Sequence, residues 1–235
     1  MPHILGTAFP AGAPGYGVGL LSPPSPVLLD ASAAIWSRTP FIEWGPPPYT
    51  TRFRACHDAA ALHVRFDARD DAPWHTMTRR DEHLWEEEVV EVFIDADGSG
   101  RNYAELEISP ANVVCDLRVE TPHPRLRSLT AWDWDGMTTA VVPMTGAGGT
   151  AEGWTALARL PWSGLRSLYP AGRVGLPPAP DDAWRFSVFR VKRPGGPGRP
   201  EDGAIYAAWS RPSGPSFHDP AAFRPLVFGH GTSGT

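Results

Sequence analysis

The sequence predicts an all-β protein, an antiparallel β-sandwich of the immunoglobulin-like or jelly-roll-like two-sheet kind, and three observations carry that prediction. Apolar and polar side chains alternate with a period of two through nine short segments. Turn formers abound, with 27 Pro and 24 Gly among 235 residues, as short strands joined by many loops require. No helix-period segments alternate with the strands, which argues against a parallel βαβ sheet. A chain of this length suits one large β domain with one core.

Taken in order, residues 1–27 are rich in Pro and Gly with little periodicity and read as a loosely attached lead-in. The domain is expected over 28–229, with 230–235 as a short tail. Asp30, ahead of ASAAIW, is placed to cap a short helical turn that lays Ile35 and Trp36 on the core. TRFRACH (51–57) and ALHVRFDA (61–68) alternate around Asp58-Ala59-Ala60 as a hairpin does, with Leu62, Val64 and Phe66 on one face. A polar loop carrying Trp74 runs through Arg79, Arg80 and Asp81 to Trp85.

The strongest strand is EVVEVFID (88–95), with Val90, Val92 and Ile94 on one side and Val89, Glu91 and Phe93 on the other. YAELEISP (103–110) turns Leu106 and Ile108 inward and sets Tyr103, Glu105 and Glu107 on the opposite face. NVVCDLRV (112–119), TTAVVPM (138–144), GWTALARLPW (153–162), WRFSVFRVKR (184–193) and AIYAAWS (204–210) continue the series. The Pro/Gly stretch from Gly195 to Gly203 reads as a loop, because strands of the same character resume after it. Trp36, Trp132, Trp154, Trp162, Trp184 and Trp209 are expected in the core or at its rim.

Composition narrows the function. The net charge is -5 and the arginines are scattered, so no stripe is set up to neutralise phosphates and nucleic acid is not an expected partner. No run approaches the roughly 20 apolar residues that span a bilayer, so no membrane partner is expected. The first residues lack a basic region, an apolar run and a small-residue cleavage site, which makes cytoplasmic residence the default and leaves an extracellular one open. Cys56 and Cys115, without a CxxC spacing, read as buried free thiols.

No nucleophile elbow, H-E-x-x-H, P-loop or dinucleotide fingerprint is present, so no enzymatic activity is expected. Asp95-Ala96-Asp97-Gly98-Ser99-Gly100 has the alternating oxygens of a calcium loop. The position that should carry its bidentate carboxylate is Leu106, with Glu105 one place off, so Asp95 and Asp97 are weak calcium candidates and a plain turn explains them better. From the residues alone, Glu91, Glu105 and Glu107 read as a solvated sheet face, with Arg190 and Arg193 positioned to balance them across strands.

The run Trp85-Glu86-Glu87-Glu88-Val89-Val90-Glu91-Val92-Phe93-Ile94-Asp95 resembles the signature of family 9 carbohydrate-binding modules: a tryptophan, an acidic stretch, then V-E-I-F-I-D. LLDASAAIW, RFRACHDAAALHVRF, YAELEISP with NVVCDL, and AWSRPSGPSFHDPAAFRPLVF agree with it in order, over about residues 27–229. The resemblance implies a β-sandwich that holds a sugar between two aromatic rings, without catalysis, in possible service of a glycoside hydrolase and polysaccharide breakdown. Carried over, Trp85 falls on the first ring and Glu91 on a hydroxyl-binding carboxylate. Phe217 stands where the sugar-binding type has a second tryptophan. Phe189 or Arg190 replaces a glutamine, and Glu107 replaces a basic residue. The implied binding set is therefore Trp85, Glu91, Glu105, Glu107, Arg190 and Phe217, with no cofactor required and a calcium site elsewhere left open. Related sandwiches of the DOMON-like superfamily bind haem, for which His75, Met77 and His83 are the candidate ligands here. A sandwich used only for protein contacts is the third reading.

Overall fold

The alternating segments become strands because each presents one apolar side to a common core while its backbone groups are satisfied by neighbours. The structure, a computed structural model, describes residues 15–21, 28–121 and 126–231. Among them lie thirteen strands: β1 Tyr16–Leu20, β2 Ile42–Trp44, β3 Thr51–His57, β4 Ala61–Arg69, β5 Val89–Asp95, β6 Asn102–Ile108, β7 Val114–Glu120, β8 Arg127–Leu129, β9 Thr138–Thr145, β10 Ala151–Pro161, β11 Ala183–Lys192, β12 Ile205–Ala208 and β13 Arg224–Gly231. One short α-helix, α1, spans Ile35–Arg38.

The strands follow one hydrogen-bonded path, β8-β7-β6-β5-β11-β13-β1-β3-β4-β10-β9, with β12 added to β11 and β2 to β3. This corrects the expected antiparallel pair of sheets. The sheet is mixed, because β1 runs parallel to both neighbours, pairing Val18 with Phe228 on β13 and Gly19 with Cys56 on β3. The sheet curls, and its two ends share a single apolar core. Phe53 of β3 lies 5.7 Å, ring to ring, from Phe186 of β11. Val90, Val92, Ile94, Leu106 and Ile108 all join that core, as their alternation predicts.

The lead-in reading fails at residues 16–20, which form β1 at the seam between the halves. Tyr16 and Val18 are buried, and the Tyr16 hydroxyl donates to the Pro40 carbonyl at 2.7 Å and accepts from the Ala55 N–H at 2.8 Å. Gly17 and Gly19 take the outward positions, so the strand shows no polar alternation to detect. Residues 1–14 and 22–27 lie outside the described residues, as do 232–235 of the expected tail; its first two residues belong to β13.

The expected cap is also corrected. Asp30 accepts from the Ser32 N–H at 2.8 Å and its hydroxyl at 2.7 Å, closing a turn, and α1 begins after Ala34 with no side-chain cap. Trp36 still reaches the interior, in a small cluster with Leu28, Cys56 and Leu157. Trp154, Trp162 and Trp184 are buried in the main core, and Trp132 and Trp209 pack partly buried against it. Both cysteines are buried free thiols. Among the described residues no helix is long and apolar enough to cross a membrane.

The inner face of β11 carries an ionic cluster. Arg190 pairs with Asp70 at 2.5 Å, and Lys192, the one lysine of the chain, pairs with Asp70 and with Glu88, each at 2.7 Å. All four side chains are buried, and the matching of two acids with two bases is what makes such burial tolerable.

Candidate functional site

The outer face of β5, β6 and β11 is not solvated. Val89, Phe93, Tyr103, Cys115, Leu117, Phe189 and Val191 form a second buried cluster there, covered by a 3-10 turn at Leu84–Glu86 and the loop before β13. The covering leaves a cavity of about 270 Å³. Trp85, Tyr206 and Phe217 stand among its walls with Leu117 and Val191, and Glu91, Phe93, Glu105, Arg193 and His218 also line it.

Each wall is held from behind. The 3-10 turn hands Trp85 to the cavity just before β5 begins, and His83 stacks on the indole at 4.5 Å between ring centres. Arg193 fixes the turn's backbone: its guanidinium donates to the Trp85 carbonyl at 3.0 Å and pairs with Glu201, and it lies 5.1 Å from the Tyr206 ring. The acidic stretch after Trp85 is structural. Glu87 accepts from the Thr76 N–H at 2.7 Å, and Glu88 belongs to the Lys192 cluster. Phe217 stacks on Phe189 at 4.3 Å with the planes 17° apart, so a rigid ring backs the platform.

The floor is acidic. Glu91 sits directly opposite Glu107 across the β5–β6 ladder, and Phe93 opposite Glu105. Oxygens of Glu91, Glu105 and Glu107 all lie within 4.8 Å of one another, and the three side chains are at most 3% exposed. That overturns the solvated-face reading. Glu107 interacts with the Glu105 carboxyl and the Trp85 backbone, and among the described residues outside the carboxyl cluster no donor is placed on Oε2 of Glu105. Burial, and then the neighbouring carboxyls, hold Glu91 and Glu107 well above the usual carboxylate range. Glu105 is pushed up to about 8 by burial. His218, whose Nδ1 is 3.0 Å from the Tyr103 hydroxyl and 3.9 Å from Glu105, is pushed down to about 4 by burial.

Of the sequence-derived set, Trp85, Glu91, Glu105 and Phe217 line the cavity and Glu107 lies beside it in the carboxyl cluster. Arg190 does not. Its position on β11 faces the inner side, bound to Asp70, and Phe189 is the residue opposite Glu91. Arg193 does not balance the glutamates either, being committed to Trp85, Glu87 and Glu201. Tyr206 and His218 were missed. Tyr206 sits on a strand of four residues, and His218 differs from a structural loop histidine only in adjoining Phe217.

Asp95 and Asp97 close the β5–β6 turn: Asp95 accepts from the Gly100 N–H at 2.8 Å, and Asp97 from the Ser99 N–H and Arg173, each at 3.0 Å. Met77 packs against the second cluster, His75 is exposed, and His83 is taken up by its stack on Trp85.

This curled sheet, with a cavity walled by Trp85 and Phe217, has solved counterparts. A Bacteroides uniformis protein assigned as carbohydrate-binding superposes with a TM-score of 0.67 at 16% identity, covering 92% of this chain and all of its own. A family 9 carbohydrate-binding module from Caldicellulosiruptor kristjanssonii, solved with glucose, gives 0.59 at 13% identity over 93% of this chain and 97% of that one. The fold is that of family 9 modules. A family 9 module from the same organism, solved with cellotriose, gives 0.57 at 14% identity, covering 93% and 94% of the two chains. No protein-family profile and no curated protein matches the sequence.

Proposed function

We propose that the protein is a non-catalytic carbohydrate-binding module that seats a sugar between Trp85 and Phe217. The observation that carries this reading is the convergence of both rings, with Glu91 and Glu105 beneath them, on one cavity in a fold shared with modules solved with glucose and cellotriose. A pyranose offers C–H faces that pack on aromatic planes and a hydroxyl edge whose lost water bonds must be replaced. The rings meet the first need. Glu91 and Glu105, with His218, meet the second. At about 270 Å³ the cavity falls just under the ~300–1,000 Å³ usual for small-molecule sites, which suits one sugar unit or the end of a chain.

The carboxyls argue against cleavage. A glycosidase sets an acid and a base or nucleophile on either side of the scissile bond. Here the three glutamates lie side by side on neighbouring strands, within 4.8 Å, with no cleft between them. The chain would then contribute to polysaccharide breakdown only through a glycoside hydrolase partner. The test is calorimetry with mono- and oligosaccharides, followed by tryptophan fluorescence. A ligand that shifts the emission of the native protein but not of Trp85→Ala supports the site; binding that survives Trp85→Ala at full strength rejects it.

A further inference from the structure

The floor of the cavity holds more acid than the hydroxyl edge of a neutral sugar uses. Glu91, Glu105 and Glu107 bring three acidic groups within 4.8 Å of one another, almost wholly out of water. Among the described residues the ion-pair neighbour recorded for them is His218, 3.9 Å from Glu105, which burial keeps uncharged at neutral pH. The nearby Arg193 is spent on backbone carbonyls and Glu201. Independently of the charge count, Oε2 of Glu105, which lines the cavity, is buried with no donor placed on it among the described residues outside the carboxyl cluster. A buried acceptor left unmatched by the protein is matched by what binds there. Without a ligand the cluster is balanced by bound protons, and a positive charge carrying several hydrogen-bond donors is what can take their place.

The walls narrow the choice of cation. Trp85, Phe217 and Tyr206 present aromatic rings, which attract an organic cation through their negative faces. Calcium asks for six to eight oxygens. The three carboxyls have six between them, and the rest of the lining is mostly apolar, Phe93, Leu117, Val191 and Phe217 outweighing the hydroxyl of Ser128. An ammonium group needs three acceptors, and its carbon skeleton packs on rings.

We propose that the pocket selects a sugar carrying a protonated amine, an amino sugar or the free-amine end of its oligomer, over a neutral sugar. The proposal rests on the sugar-binding reading above and names the ligand class for that site. Glu105 and Glu107 supply the acceptors for the ammonium while Trp85 and Phe217 hold the ring.

The experiment is calorimetric titration of the whole protein with glucosamine, N-acetylglucosamine, glucose, methylammonium chloride and calcium chloride, at a near-neutral pH where the amine is still largely protonated and its ammonium can displace a proton from the cluster. Glucosamine is expected to bind at least about tenfold more tightly than glucose or N-acetylglucosamine. Glu107→Gln, shown by melting to be folded, should bring that preference close to unity while neutral sugars still bind. Equal binding of glucose and glucosamine by the native protein overturns the amine selectivity and leaves the sugar site standing. Methylammonium binding with no sugar binding overturns the sugar site itself. Calcium binding that is lost in Glu107→Gln overturns the amine and assigns the cluster to a metal. Silence with all five ligands overturns both proposals.

Discussion

Two groups of buried ionisable side chains occupy opposite faces of the sheet around β11, and they are built on opposite rules. On the inner face, Asp70 and Glu88 are matched by Arg190 and Lys192 at 2.5 to 2.7 Å. On the outer face, Glu91, Glu105 and Glu107 have no lysine or arginine paired with them among the described residues, and a cavity opens beside them. The first group completes itself and holds strands together. The second is balanced by bound protons or, on the function proposed above, by a ligand.

The largest effect expected from that contrast is on stability. Asp70→Ala leaves Arg190 and Lys192 buried without their shared partner and should cost about 3–5 kcal/mol in urea unfolding. Glu107→Gln, which removes a buried acid, should unfold at the same or a higher urea concentration. If the two substitutions cost the same, the contrast is broken.

Binding comes next. Trp85→Ala should weaken sugar binding at least about thirtyfold, the ~2 kcal/mol of an anchor residue. Its melting temperature should fall far less than that of Asp70→Ala, because Trp85 is only half-buried. A melting temperature that collapses along with binding would make the ring part of the core.

The third expectation concerns pH. Glu105 keeps its proton up to about 8 in the folded state, whereas the unfolded chain releases it near 4.5. Between those values the folded state binds more protons, so this group's contribution is complete below 4.5 and is lost as pH rises towards 8. Glu88 and Asp95, each raised to about 7, act in the same direction, and His218, lowered to about 4, opposes them. The difference between native protein and Glu105→Gln isolates the cluster: melting temperature against pH should fall more gently in the variant between pH 4.5 and 8. Parallel curves would mean that the cluster does not share protons in this way. The smallest effect is at the other wall, where Phe217→Trp, with more stacking area, should tighten sugar binding by about two- to tenfold.

The parts legible in the sequence were those with a strong period. Val90, Val92 and Ile94 against Val89, Glu91 and Phe93 gave both faces of β5, and the flanking segments gave its neighbours. The seam was not legible, because Gly17 and Gly19 remove the polar half of the alternation in β1. Nor was the curling of one mixed sheet, since local periodicity carries no information on which distant strand pairs in parallel. The resemblance pointed to Trp85, Glu91 and Phe217, which line one cavity. It could not tell that the face bearing Glu105 and Glu107 is roofed, because half of the roof comes from residues 209–223, far downstream in sequence. Arg190 was misplaced by one residue, and on a strand one residue changes the face.

The seam also fixes an order of events. β1, the earliest strand, pairs along its length with β13, the latest, and touches β3 through only two residue pairs. A chain emerging from the ribosome can therefore assemble β3, β4, β9 and β10, or β5 to β8, while β1 waits for a neighbour more than 200 residues downstream. Until then Tyr16 and Val18 stay wet and the edges of β3 and β11 stay open. Completion of the barrel-like curl is thus a late, end-to-end event, and the interval before it is when a newborn chain is most exposed to pairing with another.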